Sequence, residues 1–114
     1  MEHSELIVML THNDLTVLNA AEIFDQCKNS KAQYWGGKEE PLPLEEMKKL
    51  FSYMKACGKT TFLEVVAYSE EEGLEGAKLA HECCCDILMG TIFSDKIKQI
   101  LPGKLRLKYM PFFR

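Results

Sequence analysis

Apolar positions follow two alternating rhythms along this chain. Short, nearly continuous apolar runs are each followed by a stretch in which apolar residues recur every three or four positions. The first rhythm is that of a strand covered on both faces, the second that of an amphipathic helix. Leu6-Ile7-Val8-Met9-Leu10 reads as the first strand. Thr11-His12-Asn13-Asp14 follows as a polar turn, and Asp14 would cap a helix carrying Val17, Ala20, Ala21, Phe24 and Cys27 on one face. Ala32-Gln33-Tyr34-Trp35 is a short second strand, and Gly36-Gly37-Lys38-Glu39-Glu40-Pro41 a flexible connection. Pro43 suits the first turn of the next helix, with Glu45 and Glu46 at its positive end. Its stripe is Leu44, Met47, Leu50, Phe51 and Met54, and Gly58 stops it.

The third strand, Lys59–Val66, is the stretch around which the rest is arranged. It is β-branched and apolar on both faces, with the carboxylate of Glu64 in its middle. Ser69-Glu70-Glu71-Glu72 is a capping box that opens a helix with Leu74, Ala77, Ala80 and Cys84 on one face. Asp86-Ile87-Leu88-Met89-Gly90 is the fourth strand. Ser94 or Asp95 caps a short helix with Ile97, Ile100 and Leu101, ended by Pro102-Gly103. Leu107-Lys108-Tyr109-Met110 is the fifth strand.

Strands thus start near positions 6, 33, 61, 86 and 107. Alternation at this spacing implies right-handed βαβ units and a parallel sheet. The fold class is α/β, one domain over residues 1–114, with the order βαβαβαβαβ. Two closures fit. One is half of a TIM-type barrel, whose full form needs roughly 200–250 residues. The alternative is a flavodoxin-like five-stranded sheet. Either leaves an apolar face or a strand edge open, and such surfaces seek partners. Self-association, in its simplest form a homodimer, is therefore expected.

Composition narrows the function classes. The chain has 46% hydrophobic and 27% charged residues and a net charge of −3. It has no basic footprint for nucleic acid or an anionic membrane. No apolar run approaches the roughly 20 residues that span a bilayer. The acidic start Met1-Glu2-His3-Ser4-Glu5 is unlike a signal peptide, so a cytoplasmic location is expected. Five cysteines, Cys27, Cys57, Cys83, Cys84 and Cys85, are odd in number and irregularly spaced. They read as reduced thiols rather than a disulfide framework, and they lack the spacing of a metal site. No P-loop, GxGxxG or nucleophile motif is present, so no cofactor is expected.

Sites in parallel α/β folds form at the carboxyl ends of the strands. That edge would collect His12, Asn13, Lys38, Glu64, Thr91 and Ser94. His12 is an acid/base candidate by residue type, although a loop histidine is ordinarily just solvated. Asn13 would hold the turn, and Asp14 reads as a cap rather than a base. Lys38 follows two glycines that would let the backbone approach a ligand, and it could bind an anion or form a Schiff base. The bland alternative is a solvated charge cluster with Glu39 and Glu40. Glu64 is the sharpest candidate, because a carboxylate inside an apolar strand needs a partner or a raised pKa. Paired with Lys38 it would make a catalytic acid/base couple; otherwise the two form a structural ion pair. Thr91 and Ser94, at the start of the fourth helix, would hold a small anionic ligand on backbone N–H groups, or merely cap.

Four segments carry a resemblance. "LTHND" after strand one, "YWGGKE" after strand two, "GKTTFLEVVAYSEEE" at strand three and "DILMGTIFSD" at strand four resemble the first half of a bacterial (βα)8-barrel family of unassigned activity. "LKYMPFF" resembles the middle of such a barrel. The wider likeness is to phosphate-binding barrels of the ribulose-phosphate-binding type, and the pattern from strand three to strand five also resembles a glycerol-3-phosphate-responsive antiterminator. The resemblance implies a lyase or isomerase acting on a small phosphorylated or carboxylated metabolite, with a non-enzymatic ligand-sensing or oligomerisation module as the alternative. Two departures stand out. Cys83-Cys84-Cys85 occupies a turn where glycine is usual, and the segments that bind phosphate after strands seven and eight have no counterpart.

Overall fold

The structure, a computed structural model, describes residues 6–13, 15–92 and 108–112. Five strands form one parallel sheet: β1 (Ile7–Met9), β4 (Tyr34–Lys38), β5 (Thr60–Ala67), β6 (Ile87–Ile92) and β7 (Lys108–Phe112). They lie in the order β1-β4-β5-β6-β7, the order of the chain itself. A two-stranded antiparallel hairpin, β2 (Thr11–His12) with β3 (Leu15–Thr16), leads from β1 toward the first helix. The helices are α1 (Ala20–Cys27), α2 (Leu44–Ala56) and α3 (Glu70–Glu82). The protein is thus α/β with a parallel sheet, as the rhythm of the sequence implies.

Register sorts the strand residues into two faces, because successive side chains alternate and laterally paired residues share a side. Val8, Leu10, Trp35, Leu63, Val65 and Leu88 point to one side, where they pack with Phe24, Met47, Leu50, Phe51, Met54, Ala77 and Ala80 from the three helices. Phe24 sets its ring edge-on to Trp35 and to Tyr53. The other side carries Ile7 and Met9, Tyr34, Phe62, and Ile87 and Met89. Phe62 and Ile87 are buried but lie outside the helix-side core. Tyr34 and Phe62 meet edge-to-face at 5.7 Å.

Three expectations need correction. Thr11–His12 and Leu15–Thr16 pair as a hairpin rather than forming a turn and the first turns of a helix. Consequently α1 starts only at Ala20, with Asn19 at its N-cap position and Val17 before the helix; Asp14 lies outside the described residues. The second strand runs Tyr34–Lys38, so Gly36 and Gly37 belong to it instead of to a flexible connection. The reason is close approach. A Cβ on Gly36 would lie 2.6 Å from the Phe62 carbonyl oxygen, and one on Gly37 would lie 3.1 Å from Thr16 Oγ1. Third, Cys84 is exposed, and Cys83 and Cys85 are the buried members of the triplet. The short helix over residues 94–101 lies outside the described residues.

Helix ends follow local chemistry. Ser69 Oγ accepts from the Glu72 N–H at 3.2 Å and donates to Glu72 Oε1 at 3.1 Å, which starts α3. Gly58 (φ 83°) follows the C-cap of α2, and Cys84 (φ 53°) follows that of α3. Both occupy the left-handed position that ends a helix and favours glycine. Beyond α3, Asp86 Oδ2 accepts from the Thr61 N–H (2.8 Å) and hydroxyl (2.9 Å), and Lys55 approaches Asp86 Oδ1 at 3.6 Å. This cluster closes the amino end of β5 and β6, opposite the end where sites form.

Candidate functional site at the carboxyl end of the sheet

Two neighbouring strands bring Lys38 and Glu64 together. They are direct register partners, Lys38 at the carboxyl end of β4 and Glu64 midway along β5, so both share the face away from the described helices. Each is half-buried, and no ion pair within 4.0 Å joins them. Lys38 is held by its backbone: Thr16 Oγ1 donates to the Lys38 carbonyl and accepts from its N–H, both at 2.8 Å. Thr16 is itself almost fully buried, and its backbone N–H donates to the Glu40 carbonyl. The hairpin therefore clamps the end of β4. Glu64 is backed by β6. There the pairing shifts register, and Gly90 adopts φ 95°. A Cβ at Gly90 would lie 2.9 Å from the Val65 carbonyl and 3.2 Å from Glu64 Cγ. A side chain there would displace the carboxylate, so glycine at this bulge keeps the Glu64 stem in place.

The helix side of the same edge is acidic. Glu39, Glu40, Glu72 and Glu75 line a cavity of about 340 Å³ with Val65, Ala67 and Gly76. Glu39 Oε2 is buried there without a hydrogen-bond partner. Burial pushes the Glu39 carboxyl above its ordinary range, while its own backbone and Lys38 offset part of that push. Gly76 lets α3 sit directly on β5, since a Cβ would lie 2.5 Å from Val65 Cγ1. A larger groove of about 510 Å³ runs between α1 and α2 past Leu18, Leu42, Leu50 and Tyr53, on the outer, helical layer.

The other expected site residues fare differently. His12 and Asn13 are exposed at the tip of the hairpin, and Asn13 takes φ 52°, a turn conformation asparagine tolerates. Thr91 lies within β6 rather than at a helix start, where β5 and β6 re-pair as Ala67 with Thr91. Ser94 lies outside the described residues. The first turns of α2 and α3 already carry Glu45 and Glu46, and Glu70, Glu71 and Glu72. Those carboxylates occupy the positive helix ends and disfavour an anion there. Burial pushes the Cys83 thiol up to about 11 and that of Cys85 to about 12, which makes both poor nucleophiles at neutral pH. Among the described residues no group of three or more His, Cys, Asp or Glu is arranged to hold a metal ion. No helix among them is long and apolar enough to cross a membrane.

Sequence reasoning missed Thr16, Gly90 and the burial of Glu39. Thr16 carried no signal, because its segment reads as helix. Gly90 did carry one: a glycine ending an apolar run marks a bulge or a close backbone approach. Comparison of the chain with protein-family models, with curated proteins and with solved structures finds no match.

Proposed function

We propose that the chain is a half-barrel assembly module, whose sheet is completed by a second copy laid against its helix-free face. The observation that carries this reading is the combination of chain-order strands with the three described helices packed on one and the same side. A barrel is wound in that way. A doubly wound flavodoxin-like sheet instead starts in the middle, in the order 2-1-3-4-5, and places helices on both faces. Among the described side chains, the face away from the helices is apolar at its centre and bears Lys38 and Glu64 toward its mouth, a charge pattern that is self-complementary under a two-fold axis. Five free thiols suit a reducing cytoplasm. Light scattering on a size-exclusion column under reducing conditions tests the module. A discrete dimer is expected; a monomer at every concentration contradicts it.

A second reading is a lyase or isomerase acting on a small phosphorylated or carboxylated metabolite, in line with the resemblance of the sequence. It draws on Lys38 and Glu64, register neighbours that form no ion pair and could exchange protons with a ligand. Calorimetric titration with small phosphorylated and carboxylated metabolites tests it. Binding that disappears in Glu64→Gln, while the thermal melt is unchanged, supports this reading. Equal binding by both proteins removes Glu64 from the site.

A further inference from the structure

The half-barrel reading leaves open what sets the orientation of the two copies. Among the described side chains of the helix-free face, Lys38 and Glu64 are the charged ones. The other side chains there include Ile7, Met9, Tyr34, Phe62, Ile87 and Met89, with Thr60 at the amino end. Apolar pairing of this kind is non-directional, so it does not choose between a parallel and an inverted arrangement. The charged pair does. Glu39 and Glu40 follow Lys38 in the chain but line the cavity on the helix side with Glu72 and Glu75. Among the described side chains, the mouth of that face then carries Lys38 and Glu64 as its cation and anion.

We infer that Lys38 and Glu64 are the specificity determinants of self-association, each pairing with its opposite number on the second copy. This inference rests on the half-barrel reading. Its basis is topological. The two residues sit at the same level of adjacent strands, β4 and β5, and make no ion pair with each other. A two-fold axis along the barrel repeats them around the mouth as lysine, glutamate, lysine, glutamate. Each lysine then stands beside the glutamate of its own copy and faces that of the second across the mouth. An inverted arrangement sets the charges of each copy against Ile7, Tyr34, Thr60 and Ile87 of the other, none of which carries a charge, and burial without a partner is costly. Thr16 fixes the Lys38 backbone and Gly90 supports Glu64. The ring would therefore form with little reordering of either strand, and pre-organisation of that kind favours association.

The test is a charge swap read by sedimentation equilibrium on the full chain. Lys38→Glu gives a copy with two anions at the mouth, and Glu64→Lys a copy with two cations. Each alone is expected to lose at least about tenfold in self-affinity, which corresponds to 1.4 kcal/mol. An equimolar mixture is expected to form heterodimers, and K38E/E64K to dimerise like the original chain. Raising the salt should weaken the original dimer. If the original chain dimerises and both single swaps dimerise equally well, the charged ring is overturned while the half-barrel stands. If the original chain never dimerises, the half-barrel reading itself fails. Should either swap fail to fold by circular dichroism, Lys38→Met and Glu64→Gln replace them. Weakened dimers then support the ring, and unchanged dimers overturn it.

Discussion

The two faces of the sheet share the same strands and the same backbone hydrogen bonds, yet they are built differently. On the helix side Leu63 and Leu88 are fully buried, locked among Phe24, Met47, Phe51, Met54, Ala77 and Ala80. On the other side Phe62 and Ile87 are buried, while Ile7, Met9, Tyr34 and Met89 keep part of their surface accessible. Burial of apolar area stabilises a fold in proportion to the area removed from water. The first face therefore holds the monomer together. On the proposed reading, the second holds stabilisation that is realised only when it is covered.

Substitutions can break that contrast, and the largest effect belongs to the packed side. Leu63→Ala should cost about 2–5 kcal/mol in a urea melt, since its neighbours surround it completely. Ile7→Lys, on the half-exposed edge of the other face, should cost the dilute monomer much less in the same melt while weakening dimerisation in light scattering. Equal losses in the melt would mean that the two faces are equivalent.

Next in size is the contact between α3 and β5. Gly76→Ala places a methyl group 2.5 Å from Val65 Cγ1, and overpacking of this kind costs about 1–3 kcal/mol. Adding Val65→Ala should recover part of that loss. A double variant no more stable than Gly76→Ala alone would show that the helix does not sit on Val65.

The two helix ends sharpen the picture further. Gly58 has open space around its missing Cβ, so Gly58→Ala tests backbone strain alone and should cost about 1 kcal/mol. Cys84, in the same conformation at the end of α3, should respond in the opposite sense, with Cys84→Gly raising the melting temperature slightly. The smallest effect is electrostatic. The carboxyl of Glu39 has its pKa raised by burial, so the folded state holds that proton more tightly than the unfolded chain does. Its ionisation costs stability above the folded-state pKa, and the cost fades as pH falls toward and below 4.5, the ordinary value. Glu39→Gln should therefore raise the melting temperature at pH 7, with the gain shrinking in acid. A gain that is constant with pH would exclude this origin.

These residues also show how far the sequence could be read. The apolar runs around Val8, Leu63 and Leu88 located strands without ambiguity, because a nearly continuous apolar run leaves no polar alternation to interpret. The stripe from Met47 to Met54 and the cap at Ser69 did the same for helices. Gly36 and Gly37 misled, since glycine commonly marks a turn. Here it marks a strand pressed against Phe62 on one side and Thr16 on the other. The hairpin of Thr11–His12 with Leu15–Thr16 was hidden for a related reason: Thr16 ties it to Lys38, a contact between residues 22 positions apart. The neighbourhood of Lys38 and Glu64 was legible from strand spacing, whereas the clamp and bulge that support them were not. Both depend on tertiary approach of backbones, which leaves at most a lone glycine in the sequence.

Methionines happen to label both faces, and oxidative footprinting reads them directly. Met47 and Met54 are fully buried on the helix side, while Met9 and Met89 sit half-buried on the other. Mild peroxide converts accessible methionine to its sulfoxide. With the protein dilute, Met9 and Met89 should oxidise while Met47 and Met54 stay intact. As the protein is concentrated, Met9 and Met89 should become protected as a second copy covers them. Oxidation of Met9 and Met89 at the same rate at every protein concentration would contradict the claim that this face is an assembly surface.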